Sequence, residues 1–218
     1  MNRNAIESFE HNGLTVQIVH DDDAESPRET CDNMTVLACW HRRSNLGDKQ
    51  IEGGMTAKEL IRSLRAEGEK VLALLPLYAY EHGGITMSTG SFSCRFDSGQ
   101  VGWGYVTQSS AEEMGCVGTY TDPKTGETKA YDKAFFEEAI RLDVRTYADY
   151  LEGQCYGYTV EDDDGTEVAS CWGFVGDLEY VRTEAIDAAN HADNPARDRM
   201  IAEQVAEFNE RATQASVF

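Results

Sequence analysis

The stretch from Leu74 to Val106 constrains the fold of this chain most, because it is the most apolar and most glycine-punctuated part of an acidic sequence. It overlaps a run of β-forming residues, Val71 to Tyr80, which predicts a long strand. Pro76 lies inside that run and cannot donate a ladder hydrogen bond, so an edge, a bulge or a bend is expected there. Gly83-Gly84 then turns the chain, and Val101 to Thr107 predicts a further strand.

Alternation of apolar and polar side chains predicts half-buried strands on both sides of this stretch. Leu14 to His20 alternates after an Asn-Gly turn, and Met34 to His41 is rich in β-forming residues. Tyr156 to Glu161 and Glu167 to Phe174 also have the composition of strands. The segment Asp162-Asp163-Asp164-Gly165 joins them, and Asp-Gly between two such runs predicts a β-hairpin.

Capping patterns mark the starts of the predicted helices. Thr56 and Glu59 have the spacing of a capping box, in which each side chain accepts a hydrogen bond from the other residue's backbone N–H. Ser109 and Glu112 repeat this spacing, and Asp132 is expected to cap the longest helix. The predicted helices span about residues 57–66, 110–114, 133–151, 177–192 and 196–212.

The order of these elements predicts the α+β class, because strands often adjoin through short turns while helices are interspersed. We expect an antiparallel or mixed sheet of about six to seven strands, with helices packed on one face and further helices at the C-terminus. Residues 1–180 are predicted to form this core domain, and residues 181–218 a helical extension packed on or beside it. The last helix has one apolar stripe that could pack on the sheet or contact another chain: Met200, Ile201, Val205 and Phe208.

The charge balance restricts the partners of the chain. Its 39 acidic side chains outnumber 19 basic ones, which gives a formal net charge of −20. Direct binding to nucleic acid needs a basic surface, so neither nucleic acid nor an anionic membrane is expected as a partner. A basic protein or nucleoprotein complex is favoured, although an acidic surface can also simply be solvated. The few clustered bases are Arg42, Arg43 and Lys49.

Composition also bounds the compartment and the cofactors. No stretch of eighteen apolar residues occurs, and the N-terminus lacks the apolar core of a signal peptide, so we expect a cytoplasmic protein. Six cysteines are dispersed without a Cys-x-x-Cys pair, and we expect neither a metal site nor a cofactor. Flanks such as VLACW and VASCW predict that Cys39 and Cys171 are buried, reduced thiols.

Acidic residues are concentrated between Glu161 and Asp193, where Arg182 is the only base. If they share a face, they could present carboxylates to a groove lined by Arg and Lys, as a mimic of nucleic acid would. The alternative is an ordinary solvated face. The predicted partner-binding surface consists of Asp21, Asp22, Asp23, Glu161, Asp162, Asp163, Asp164, Glu167, Asp177 and Glu179.

A possible catalytic group lies in the central stretch. His82, Cys94 and Asp97 lie within sixteen residues, and a cysteine nucleophile needs a histidine base and a group that orients it. Gln100 is the candidate oxyanion donor. The alternative is that Cys94 is a core thiol, while His82 and Asp97 bond to loop backbone.

Several motifs of the chain are long and unusual. They read LPLYAYEHGGITMSTGSFSCRFDSGQVGWGYV in the centre, LACWHRRSNLGD before it, and YLEGQCYGYTVEDDDG with SCWGFVGD after it. Together they resemble a family of uncharacterised proteins of bacteriophages and mobile elements, over about residues 33–180. The resemblance implies a context and no mechanism, because such genes lie among phage accessory genes, where counter-defence functions are common.

These observations lead to one functional hypothesis and two alternatives. We expect an acidic phage-type accessory protein that inhibits a host nucleic-acid-handling defence machine of the CRISPR or restriction type, with nucleic-acid mimicry as its mode of binding. The lack of a firm catalytic motif favours this role over a Cys/His-dependent hydrolase or transferase that uses residues 82–100. The other alternative is a structural protein that assembles through its last helix. The sequence leaves the target and the oligomeric state open.

Overall fold

The computed structural model describes residues 5–192 and Val205. Contacts divide the chain into two compact units. The central unit comprises Glu25–Gly153, and the split unit comprises the residues up to Ala24 together with those from Gln154 onward.

Strands and helices are mixed along the chain. In chain order, the described strands are β1 (Ala5–His11), β2 (Leu14–His20), β3 (Val36–Cys39), β4 (Lys49–Gln50), β5 (Val71–Glu81), β6 (Ile85–Ser88), β7 (Ser98–Thr107), β8 (Thr119–Thr121), β9 (Thr128–Ala130), β10 (Cys155–Glu161) and β11 (Glu167–Val175). The described helices are α1 (Pro27–Thr30), α2 (Ala57–Ala66), α3 (Gln108–Glu113), α4 (Lys133–Leu151) and α5 (Leu178–His191). The α+β class is confirmed, but six to seven strands are too few, because the described residues form eleven strands in sheets of four, five and two.

The split unit is an antiparallel sheet in the order β1-β2-β10-β11, with α5 packed on one face. The hairpin predicted at residues 162–165 joins β10 to β11. Alternate residues of β2, such as Val16 and Ile18, are completely buried toward α5. Helix α5 meets them with Val181 and a row of alanines, whose small side chains let the helix lie close to the sheet. The predicted extension from residue 181 thus starts inside a helix that belongs to the core of this unit.

The central unit has a five-stranded sheet in the order β4-β3-β7-β5-β6, with helices on both faces. Adjacent residues of a strand point to opposite faces. In β3, Leu37 therefore lies in the cluster with Ile140 of α4, whereas Ala38 lies in the cluster with Leu60 and Leu64 of α2. The prediction of helices on one face is wrong for this sheet, because its inner strands are apolar on both sides.

Strand β5 accommodates Pro76 at an unpaired side. β5 pairs with β7 along its length, and Pro76 lies opposite Trp103. On the other side, β5 pairs with β6 only from Tyr78 onward. Pro76, which has no N–H group, therefore lies where one side of the strand has no partner among the described strands. Although β5 lies between two strands of the sheet, Pro76 is at a locally unpaired side, and the register with β7 shifts just after it, between Leu77 and Tyr78, so an edge-like position and a bulge both occur there.

A buried arginine fixes the start of the central unit. The Arg28 side chain is 4% exposed, and it donates to both carboxylate oxygens of Asp48, at 2.8 and 2.7 Å. It also donates to Asn33, to the carbonyl oxygen of Thr35 and to Asp143 of α4. All five guanidinium N–H groups thus have acceptors. Burial lowers the pKa of Arg28, but the hydrogen bonds and charges of Asp48 and Asp143 outweigh burial and raise it.

Local sequence signals predicted most helix starts. Thr56 and Glu59 form the expected capping box of α2, and Asp132 caps α4. Helix α3 starts earlier than predicted, because Thr107 is its cap and exchanges hydrogen bonds with Ser110. No sequence pattern predicted the strands β1, β8 and β9.

Three further predictions have separate outcomes. The last helix, at about residues 196–212, lies outside the described residues apart from Val205. All six cysteines are free; Cys39 is buried as predicted, but Cys171 is exposed because it lies on the edge strand β11. Among the described helices, none is long and apolar enough to cross a membrane.

Candidate functional site

The ten acidic residues predicted as a partner-binding surface all belong to the split unit. They form two groups, at opposite ends of its sheet. Residues 21–23 follow β2 beside the start of β10, and Asp177 and Glu179 follow β11 at the same end. Residues 161–167 occupy the hairpin at the other end. Since β10 has seven residues, the groups are about 20 Å apart along the strands.

Three of these acids have structural roles that use their carboxylates. Asp21 accepts a hydrogen bond from the backbone N–H of Gly173, at 2.9 Å, beside a bulge of β11. Asp162 accepts from two backbone N–H groups of its own turn, at 2.8 and 3.0 Å. Asp177 caps α5. Neutralising these three would alter the fold as well as the charge.

Four other acids are accessible to a partner. The side chains of Asp22, Asp23, Asp163 and Asp164 are exposed and make no hydrogen bond or ion pair within the described residues. The remaining three acids each have a polar neighbour: Glu161 has Gln17, Glu167 has Ser170, and Glu179 has Arg182.

The charge of the split unit is almost entirely of one sign. Its described residues include 14 acidic side chains and a single basic one, Arg182. Arg182 donates to both carboxylate oxygens of Glu7, and this pairing raises the pKa of Arg182. With 14 acids and one base, the described residues of the split unit have a formal net charge of −13.

The predicted reactive residues of the central unit are neighbours, but Asp97 lies between the other two. Its carboxylate accepts a hydrogen bond from the Cys94 thiol at 3.4 Å and lies 3.7 Å from Nδ1 of His82. Within the described residues, no hydrogen bond joins Cys94 to His82. A cysteine nucleophile needs the imidazole as its proton acceptor. The three side chains are therefore close without forming a nucleophile–base pair.

A cavity of about 700 Å³ lies in the central unit and includes Asp97 and Gln100 in its lining. Its walls come from residues 40–43 after β3, residues 53–54 before α2, and residues around 96–101 at the start of β7. Gln100 donates one N–H to the carbonyl oxygen of Gly102, at 3.1 Å. His82 lines a different hollow. Of the four predicted catalytic residues, only Asp97 and Gln100 thus share this cavity.

Aromatic and basic side chains complete the cavity. Phe96 is 98% exposed, Trp40 is half-buried, and Arg42 is exposed. No sequence pattern distinguished Trp40 or Phe96, although the clustered bases at Arg42 and Arg43 were a usable signal. The described part of the chain contains no group of three or more His, Cys, Asp or Glu side chains placed to hold a metal ion.

His41 supports one wall of this cavity through a defined tautomer. Its Nδ1 accepts a hydrogen bond from the backbone N–H of Ser44 at 3.0 Å. Nε2 therefore carries the hydrogen and donates to Glu81 at 2.7 Å. Glu81 also accepts from Arg43 at 3.1 Å. Because both ring nitrogens are engaged, His41 positions Glu81 and is not free to act as a general base.

Comparison with known proteins gives no match to a protein-family model, a curated protein or a solved structure. The resemblance to phage and mobile-element proteins stays a prediction. Charge and geometry are therefore the basis for assigning a function.

Proposed function

We propose that this protein is an acidic inhibitor that occupies the basic nucleic-acid groove of a host defence enzyme of the CRISPR or restriction type. The observation that carries the proposal is the charge of the split unit, in which 14 acidic side chains accompany one base among the described residues. A groove that binds phosphates is lined by Lys and Arg, and a dense set of carboxylates can compete for it. The phage-type resemblance of residues 33–180 adds a context for such an inhibitor.

The position of the exposed acids supports binding to an extended groove. Nucleic acid presents phosphates at regular intervals, so a competitor needs charges spread over a length. Residues 22–23 and residues 163–164 provide exposed carboxylates about 20 Å apart. Charge pairs across an interface mainly raise the association rate and select the partner. Their effect falls with salt, because the Debye length shortens.

Affinity capture from host lysate tests the proposal. The tagged full-length protein is washed at low and at high salt, and retained proteins are identified by mass spectrometry. We expect the low-salt wash to retain a nucleic-acid-handling enzyme. High salt should release this enzyme, and so should its own nucleic acid, because this protein and the nucleic acid would occupy the same groove. A partner that is retained equally at both salt concentrations and in the presence of nucleic acid would contradict mimicry.

Two charge-matched variants separate the acidic groups from net charge alone. Both change the formal charge from −20 to −16 by amide substitution of four exposed acids. The split-unit variant should weaken capture by about tenfold or more and flatten its salt dependence; the central-unit control should behave as wild type. The split-unit variant is D22N/D23N/D163N/D164N, and the control is E25Q/E29Q/E52Q/E113Q.

A thiol-dependent hydrolase or transferase is a second candidate, favoured by the proximity of Cys94, Asp97 and His82. In that case a substrate must bring His82 to the thiol. Native alkylation with iodoacetamide tests this, with exposed Cys171 as an internal reference for an unactivated thiol. Faster reaction at Cys94 that disappears in His82→Ala would favour the enzyme. Equal rates at the two cysteines would count against it.

A further inference from the structure

We infer that the cavity of the central unit binds a nucleoside monophosphate, with the base stacked on Phe96 and Trp40 and the phosphate on Arg42. The volume of about 700 Å³ lies within the usual range for small-molecule sites. The inference is independent of the proposed inhibition, because every lining residue belongs to the central unit, whereas the acids that support inhibition belong to the split unit.

The exposed side chain of Phe96 supports stacking of a base in this cavity. Its ring is 98% exposed, which is more than any other large apolar side chain of the described residues. It lies between Arg95 and Asp97, before β7, where an apolar ring makes no contribution to the core. A flat ligand that covers this ring removes apolar surface from water, and nucleobases stack on such rings without a strict sequence preference.

Trp40 adds a second aromatic surface from another segment of the chain. The side of its ring lies against Gly53, where an added Cβ would be 3.8 Å from the ring. The indole N–H makes no hydrogen bond within the described residues. Every buried side-chain nitrogen or oxygen of the described residues has a hydrogen-bond partner. Since the indole N–H of Trp40 has none, it is not buried, and it can donate to a ligand from the solvent side.

The two arginines of the cavity have different roles. Arg43 is paired with Glu81 at 3.1 Å. Arg42 is exposed and makes no ion pair or side-chain hydrogen bond within residues 5–192. A guanidinium that lines the same cavity as aromatic side chains suits a phosphate, which it can bind through two parallel hydrogen bonds. Asp97 lies on the segment of Phe96, so the phosphate is drawn to Arg42 and the neutral base to Phe96.

Gln100 provides a polar group for the edge of a base. One N–H is used by Gly102, which leaves the side-chain carbonyl oxygen and the second N–H. An amide with one free donor and one free acceptor can form paired hydrogen bonds with a nucleobase. Gln100 is half-buried in the lining, so its position is held by β7.

The charge of the protein favours a single nucleotide over a strand. At physiological salt the Debye length is about 8 Å, so one phosphate on Arg42 is largely screened from distant acids. Each further phosphate of a strand would meet a chain of formal charge −20, and the second arginine of the cavity, Arg43, is already paired with Glu81.

Isothermal titration calorimetry of the full-length protein with AMP, GMP, CMP and UMP tests the inference. We expect saturable binding of at least one, with a dissociation constant on the order of 10–100 µM. The corresponding nucleoside and inorganic phosphate should each bind more weakly, because each lacks one of the two contacts. A single-stranded oligonucleotide that binds more tightly than every monophosphate would overturn the inference.

Matched variants locate the site. Phe96→Ala should weaken binding about fivefold or more, while Phe96→Tyr, which keeps the ring, should not. Arg42→Ala should weaken it about tenfold. Arg95→Ala is the control, because Arg95 is exposed on the same loop but lines a neighbouring hollow. No saturable heat by about 1 mM, or unchanged binding by the Phe96→Ala and Arg42→Ala proteins, would overturn the inference.

Discussion

The split unit and the central unit both pack helices against a largely antiparallel sheet, but they arrange their charges in opposite ways. The described split unit has 14 acidic side chains and one basic one, whereas the central unit has 20 acidic and 14 basic ones. Several carboxylates of the central unit are paired with its own bases, most completely around Arg28. At the ends of the split-unit sheet, exposed carboxylates have no such base.

This difference separates charge that stabilises a fold from charge that no nearby base neutralises. Like charges repel one another and destabilise a compact state. The split unit therefore depends on apolar contacts such as those of Val16 and Ile18 with Val181. The central unit uses ion pairs for its own architecture. The proposed binding role rests on this excess of acids over bases in the split unit.

The largest expected effect of any single change is at Arg28. Replacing Arg28 by Met leaves Asp48 and Asp143 as carboxylates without their buried cation. We expect the free energy of unfolding to fall by about 3–5 kcal/mol. Urea denaturation measures it through the tryptophans of the central unit, in a Trp172→Phe background that removes the split-unit signal.

The control for this change is Arg43→Met. Arg43 is 80% exposed, and its ion pair with Glu81 lies at the surface. We expect a loss of no more than about 1 kcal/mol. Equal losses of stability in the two variants would show that the buried network of Arg28 contributes no more than a surface ion pair.

Two glycines compare packing in the two units through one kind of substitution. A methyl group at Gly104 would lie 2.7 Å from Cγ2 of Ile140, which is completely buried. At Gly157 it would meet the ring of Trp172 at 2.2 Å, but Trp172 is 50% exposed and can move. Gly104→Ala should cost about 1–3 kcal/mol and Gly157→Ala less, as measured by urea unfolding followed by circular dichroism. The reverse order would show that the split unit is the more tightly packed.

The smallest expected effect concerns two similar turns, one in each unit, in which an aspartate side chain accepts backbone hydrogen bonds. In the central unit, the side chain of Lys129 and the backbone N–H of Lys124 donate to Asp122 and lower its pKa to about 2. In the split unit, Asp162 accepts backbone N–H groups in a similar turn, without a lysine partner among the described residues.

The pH dependence follows from the direction of the shift. The folded-state pKa of Asp122 lies below its unfolded value, so its stabilisation is complete above roughly pH 4 and is lost as the pH falls through about 2. Lys129→Met should raise the midpoint of the Asp122 carboxyl titration observed by carbon-13 NMR. Lys124→Met keeps its backbone N–H and should leave the midpoint unchanged. Equal midpoints in the two variants would exclude Lys129 as the main cause.

Signals that span a few residues predicted much of the fold. The capping box at Thr56, the cap at Asp132 and the hairpin at residues 162–165 all formed as expected, because each depends on hydrogen bonds within one turn. The strands β8 and β9 were not predicted, because strands of three residues are too short to show a period.

The candidate sites were predictable only in part. Cys94 lies close to Asp97 because only two residues separate them in sequence, whereas His82 meets Asp97 because β5 pairs with β7 through Tyr80 and Ser98. Trp40 and Phe96 lie far apart in sequence, and they share a cavity because β3 pairs with β7. No local pattern reports such a pairing.

By itself, the sequence determined the charge of −20, the concentration of acids after Glu161, and the helix caps and turns, because composition and local hydrogen bonds do not depend on distant partners. Only the tertiary structure decided that residues 21–23 and Asp177 share one end of a sheet, that the central sheet is covered on both faces, and that Asp97 lies between Cys94 and His82. The physical reason for the first two is that strand pairing joins β2 to β10 and β3 to β7 across long stretches of chain, and the register of each pair sets which side chains meet.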